Sequence, residues 1–182
     1  TNTSTRTQTA TNTATATATS AVACTDLQVQ SVFANGDTTY VLKKDGTVAG
    51  WGDPSDGQLT VIPAGLANVT TMAGRWQRTL ALKSDGTVVS WGIDKYSDAT
   101  VPTGLSNVVA IAVGLGQGGI HGHSLALKSD GTIVAWGNNQ FGQIDVPTGL
   151  TNVVAITAGY AFSAALKSDG TVVAWGYNGY GQ

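Results

Sequence analysis

Apolar and polar positions fall into one phrase that the chain spells four times. Its clearest copy is Ala165-Leu166-Lys167-Ser168-Asp169-Gly170-Thr171-Val172-Val173-Ala174-Trp175-Gly176. Other copies run from Ala126 to Gly137 and from Ala81 to Gly92, and a looser one from Val41 to Gly52 carries Lys44 and Gly50 at the variable places. Ahead of the turn, Leu or Tyr alternates with a small residue and then Lys, the period-2 pattern of a half-buried strand. Behind it, Thr-Val-Val-Ala-Trp or a close variant supplies a β-branched strand ending in a large aromatic. Asp-Gly between two apolar runs signals a hairpin, because a type I′ turn needs positive φ at both central residues. Asp45-Gly46, Asp85-Gly86, Asp130-Gly131 and Asp169-Gly170 are therefore read as turns, and no calcium-loop spacing surrounds them. Trp51, Trp91, Trp136 and Trp175 are expected to pin the core, one per repeat.

The tryptophans recur at intervals of 40, 45 and 39 residues, and self-similarity at that period means a propeller or solenoid, since one unit cannot bury its own apolar face. Each unit reads as a strand such as Val153 to Ala158, a Gly, a short variable loop, the hairpin, a Gly-Gln turn and a Val-Pro connection. The expected organisation is a tail over 1–25 and four repeats over 26–63, 64–102, 103–147 and 148–182. In the tail, Thr occupies every odd position from Thr1 to Thr19. One reading is a Thr-rich linker carrying O-linked glycans. The other is an extended strand with Thr3, Thr5, Thr7, Thr9, Thr11, Thr13, Thr15 and Thr17 on one face, able to add to a sheet edge of a neighbouring molecule.

On these motifs the chain resembles the regulator of chromosome condensation type (RCC1-like), whose blades have four strands. The resemblance covers residues 27 to 182. Gly-Gln followed by Val-Pro, Val-x-Ala-Ile, Ala-Leu-Lys and Val-x-Ala-Trp-Gly is most similar to the bacterial secreted branch that includes the propeller-type β-lactamase inhibitory protein. The resemblance implies an all-β chain of propeller blades preceded by an extended Thr-rich segment. That family closes with seven blades; the four repeats here leave closure to further repeats, to another chain or to an arc completed differently.

Composition narrows the function. A net charge of −2 with 11% charged residues argues against nucleic-acid binding, which needs a basic patch. All 11 acidic residues are Asp, and with 24 glycines this is the usage of a turn-rich β protein. Cys24 is the one cysteine, so no internal disulfide forms, and no apolar run is long enough for a membrane helix. His121 and His123 form an H-x-H pair without a third ligand nearby, and no acid/base set can be assembled. The chain is read as a non-enzyme without metal or cofactor.

Function then rests on what differs between repeats, the loops. Arg75, Trp76, Tyr96, Phe141, Tyr160, Phe162, Tyr177 and Tyr180 are the candidate partner-binding residues, because aromatics beside Arg, Asn and Asp on rigid loops bury area at low entropic cost. Resemblance to the inhibitor branch selects Trp76, Phe141, Tyr160 and Tyr177 among them. Packing between blades is the alternative role for these aromatics. The first functional expectation is a non-catalytic structural or interaction module, extracellular or at the cell surface, whose tail links copies into an oligomer or filament. The alternative is a secreted, inhibitor-like propeller that binds a protein through its loop aromatics. A guanine-nucleotide exchange factor, as in eukaryotic relatives, is disfavoured because the tail carries only Arg6 as basic residue. The expected partner is a protein or a further copy of the chain.

Overall fold

The computed structural model describes residues 28–53, 62–75, 78–92, 100–115 and 122–182. The tail threonines, Cys24, Trp76, Tyr96 and His121 lie outside the described residues. Twelve strands follow in chain order among those described: β1(Val29–Asn35), β2(Thr38–Lys43), β3(Val48–Gly52), β4(Val69–Arg75), β5(Arg78–Lys83), β6(Val88–Gly92), β7(Val108–Gly114), β8(His123–Lys128), β9(Ile133–Gly137), β10(Val153–Ala158), β11(Phe162–Lys167) and β12(Val172–Gly176). They pair as four antiparallel sheets of three strands, each in chain order, and each sheet is one blade.

Two expectations about these blades need correction. A fourth strand is missing from the third blade, where residues 138–152 are described without a break and form only turns and irregular chain. Gly142 turns back at φ 77°, and side chains take the amides a strand would use. Asn139 Oδ1 accepts from the Ile144 N–H at 3.1 Å and Gln143 Oε1 from the Phe141 N–H at 2.8 Å. The hairpins also differ from the type I′ expectation, since only the Gly of each Asp-Gly pair has positive φ. The Gly46 N–H donates to the Lys43 carbonyl and the Lys43 N–H to the Thr47 carbonyl, both at 2.9 Å, the pattern of a three-residue loop ending in a left-handed Gly. Asp keeps ordinary φ because its carboxylate faces forward. Asp85 Oδ1, for instance, accepts from the Thr87 N–H at 2.9 Å and the Thr87 hydroxyl at 2.6 Å.

These bonds hold the turn carboxylates well below the usual range, chiefly through the Thr hydroxyl and then the Thr amide; Asp130 is lowered to about 2.

Blades stack face on face, the first strand of each lying against the first and middle strands of the blade before it: β4 on β1 and β2, β7 on β4 and β5, β10 on β7 and β8. The core therefore lies between blades. Leu42 meets Val69 and Trp91, Leu82 meets Val108 and Trp136, and Leu127 meets Val153 and Trp175. The middle strands β5 and β8, with a blade on either side, are accordingly buried on both faces rather than alternating. Leu80 and Leu82 of β5 turn to the following blade and Ala81 to the preceding one, and the burial of β5 runs unbroken from Arg78 to Leu82. Small residues are needed there because the incoming Trp of the same blade occupies that side.

The tryptophans do not behave alike. Trp91 and Trp136 are 4% and 6% exposed, whereas Trp51, expected in the core, is 53% exposed. The cause is position. Each Trp packs on the blade before its own, as Trp91 does edge-on against Tyr40 at 5.8 Å with its indole N–H to the Tyr hydroxyl at 3.3 Å. No described residues precede the first blade to receive Trp51.

Backbone also joins the blades. The Val69 N–H donates to the Gly46 carbonyl and the Val108 N–H to the Gly86 carbonyl, both at 3.0 Å. A Cβ at Gly46 would lie 2.9 Å from the backbone of Asn68, while one at Gly170 would meet nothing within 4 Å. Gly170→Ala should therefore cost only the left-handed φ penalty, about 1–2 kcal/mol. Gly46→Ala should cost clearly more, read as the difference between the two variants in denaturant unfolding.

Candidate functional site

The chain after the Trp of the third and of the fourth blade and the loop after the first strand of the fourth come together at one end of the stack. Between the third and fourth blades they form a cleft of about 290 Å³ lined by Phe141, Tyr160, Ala161, Tyr177 and Tyr180. The rings are ordered against one another. Phe141 meets Tyr177 edge-on at 5.1 Å between centroids, and Tyr177 meets Tyr180 edge-on at 6.0 Å. Tyr177 packs over Gly179, where a Cβ would stand 2.2 Å from its hydroxyl, so the glycine is what lets the ring lie flat on its own turn. Tyr160 and Tyr180 remain exposed.

Tyr160 is held by its neighbour. Ala161 is completely buried at φ 57°, a left-handed value that L side chains disfavour. The backbone around it is pinned: the Ala161 N–H donates to the Leu115 carbonyl at 2.8 Å, and the Ala161 carbonyl accepts from the Tyr177 N–H at 2.9 Å. A strained residue fixed by two other chain segments beside an aromatic cleft is the kind of outlier that accompanies binding sites.

Gln143 holds the other wall, a role the sequence reading assigned only to a turn. Its side chain is fully buried and donates to Asn138 Oδ1 at 2.6 Å. Its carbonyl accepts from the Ser163 hydroxyl at 2.8 Å and from the Trp175 indole N–H at 3.0 Å, clamping the loop of the third blade onto the fourth. The recurring Gly-Gln at 57–58, 142–143 and 181–182 was the signal that could have found it.

Behind the cleft a buried polar seam crosses the blades. Asn35 Nδ2 donates to the Arg78 carbonyl at 2.9 Å, Arg78 Nη2 donates to the His123 carbonyl at 2.9 Å, and His123 Nε2 lies 3.0 Å from the Ser163 hydroxyl. Because that hydroxyl gives its proton to the Gln143 carbonyl, its oxygen accepts from Nε2–H, which leaves His123 Nδ1 bare. Nδ1 is buried without a hydrogen-bond partner among the described residues. Burial, and then the Arg78 guanidinium, push His123 down to about 4, against a smaller opposing contribution from the Phe162 backbone. His123 thus serves as a neutral structural residue. Among the described residues, no group of three His, Cys, Asp or Glu could hold a metal.

The structure brings together Phe141, Tyr160, Tyr177 and Tyr180 and separates the other candidates from them. Arg75 is exposed and lines a second cleft of about 440 Å³ with Val32, Phe33, Asn35 and Met72. Phe162 is half-buried and lies over Gly159, where a Cβ would meet its ring at 2.1 Å. It occupies the place that Thr38, Arg78 and His123 take in the other blades, apart from the cleft. Trp76 and Tyr96 fall outside the described residues.

Stacked three-stranded antiparallel blades define a β-propeller, a scaffold that usually serves binding. Residues 29–58, 121–143 and 153–182 match the regulator of chromosome condensation (RCC1) repeat, and with the stacked blades this gives the chain an RCC1-like propeller fold. Among solved structures, yeast RCC1 (Prp20), crystallised with Kap60, is similar at a TM-score of 0.67 and 21% identity over 84% of this chain and 44% of that one. Human WBSCR16 is similar at 0.63 and 21% identity, over 86% of this chain and 51% of that one. The ectodomain of the Arabidopsis thaliana receptor kinase ACR4 is similar at 0.62 and 22% identity, over 86% and 53%. The chain thus spans about half the length of these structures, and at such identities the likeness is one of fold. Comparison with curated proteins gives no match.

Proposed function

We propose that the protein is a non-catalytic protein-binding module at the outside of the cell, and that the aromatic cleft between its third and fourth blades takes the partner. The cleft carries this reading. Four loop aromatics from three chain segments converge there on a clamped backbone, and such pre-organised rings bury area on binding at little entropic cost. No charged side chain lines it, so affinity would come from ring stacking and from tyrosine hydroxyls at the edge. The RCC1-like relatives add support of a general kind, since yeast RCC1 was crystallised with a protein partner. The extracellular setting rests on the Thr-rich tail and on the similarity of spelling to the secreted bacterial branch.

Selection of displayed random peptides on the whole chain tests the proposal. The selected peptides should compete with one another and lose about 30-fold or more in affinity on the Tyr160→Ala, Tyr177→Ala double variant, the loss expected for anchor residues. Peptides indifferent to both substitutions would place the binding surface elsewhere.

A further inference from the structure

The aromatic cleft between the third and fourth blades offers a partner side chains and little main chain, because the backbone around it is already committed. The Ala161 N–H donates to the Leu115 carbonyl at 2.8 Å, the Tyr177 N–H to the Ala161 carbonyl at 2.9 Å and the Leu115 N–H to the Gly159 carbonyl at 3.0 Å. The Phe141 and Tyr180 amides go to the Gln143 and Gln182 side chains, at 2.8 and 2.9 Å. A peptide that binds by adding a strand needs a run of free main-chain groups, and these are taken. Among the described residues no cation, carboxylate or amide side chain lines the cleft either. A phosphate, a terminal carboxylate or a free amine therefore finds no partner of opposite charge there.

What remains is rings and phenol hydroxyls, and one peptide conformation complements both. A polyproline II helix has no internal hydrogen bonds, so its carbonyls stand free as acceptors, and at proline there is no N–H to satisfy. The phenol hydroxyls of the cleft are donors. An amphipathic α-helix is the poorer match, since it uses its own carbonyls internally and leaves those hydroxyls without an acceptor. Proline rings pack between aromatic ridges, and Phe141, Tyr177 and Tyr180 stand as such ridges, turned 70° and 73° from one another. Their centroids step by 5.1 and 6.0 Å, a row that one turn of a polyproline II helix, about 9 Å, covers.

Given that this cleft is the partner's site, as proposed above, we infer that the partner presents a proline-rich segment in the polyproline II conformation. Its prolines sit between the rings, and the Tyr177 hydroxyl donates to a carbonyl of the segment. Both sides are pre-organised for this contact. The segment enters already stiff, and the Tyr177 ring is held flat over Gly179 while Gln143 fixes the Phe141 amide.

Random peptides selected on the whole chain should be enriched in the spacing P-x-x-P, and fluorescein-labelled decaproline should bind saturably and be displaced by them, read by fluorescence anisotropy. Tyr177→Phe keeps the ring and removes one donor, so with an unchanged unfolding midpoint it should weaken decaproline about 5-fold. Tyr177→Ala should weaken it about 30-fold or more. Replacing the prolines of a selected peptide by alanine should weaken that peptide about 10-fold or more. Peptides that depend on Tyr160 and Tyr177 yet hold no excess of proline, with decaproline that does not bind, would overturn this inference and leave the cleft as the partner's site. Peptides indifferent to both tyrosines would overturn the two readings together. Decaproline bound equally by wild type and Tyr177→Ala would also overturn the inference, since its contact would then lie elsewhere on the chain.

Discussion

Trp136→Ala should lower the unfolding free energy by about 3–5 kcal/mol, while the same change at Trp51 should shift it by less than about 0.5 kcal/mol. The two residues fill the same place in the same phrase, and their local sequence gives no reason to separate them. What differs is the neighbour. Trp136 is 6% exposed among Leu80, Leu82 and Val108, so its loss leaves a cavity that rigid sheets on both sides cannot fill by collapse. Trp51 leaves only solvent behind. Denaturant unfolding of both variants, with the slope checked for constancy, measures the contrast. Equal losses would mean that Trp51 is covered.

Stability should fall by about 3 kcal/mol as pH drops from 6.5 to 4, and His123 should be the cause. Above pH 6.5 the imidazole is neutral in both states and contributes no pH dependence. Between 6.5 and about 4 the unfolded chain binds a proton that the folded one refuses, because protonation would place it on a buried Nδ1 without an acceptor among the described residues and near Arg78. Below about 4 both states carry the charge and this contribution levels off. The turn carboxylates then act in the same direction at lower pH, as their depressed values demand, so the two effects separate along the pH axis. His123→Phe, the residue that the fourth blade carries there as Phe162, should flatten the curve between 4 and 6.5 and leave the lower limb in place. A curve unchanged by that substitution would assign the acid sensitivity to another group.

Blade number, hairpin positions and the alternation of Leu with Ala were all legible, because each is set by local period and turn chemistry. Its meaning was not. The Ala of Leu-Ala-Leu looked like the solvent side of a half-buried strand and is the side on which the blade's own Trp enters the joint, a contact fixed by residues about 40 positions away. The Asp-Gly turns were found but mistyped, because the Asp carboxylate bonds forward to Thr and needs no positive φ. At the candidate site, aromatic type and loop position picked out Phe141, Tyr160, Tyr177 and Tyr180 together with Phe162, and only the structure separates Phe162 from the four that share a cleft. Gln143 went unweighted because its work is done by a main-chain carbonyl, which sequence does not display.

The bond from the Gly46 carbonyl to the Val69 amide, repeated from Gly86 to Val108, has a consequence for how such a chain can change over time. The junction is written in main-chain atoms and a glycine, and each unit meets chiefly the one before and the one after. A duplication or excision of one whole unit therefore rejoins the same donor to the same acceptor and presents the same Leu to the same Trp. Copy number becomes a heritable variable that can drift without redesign of the interior, while the ring positions of the cleft, which lie on loops rather than strands, are left open to diversify unit by unit.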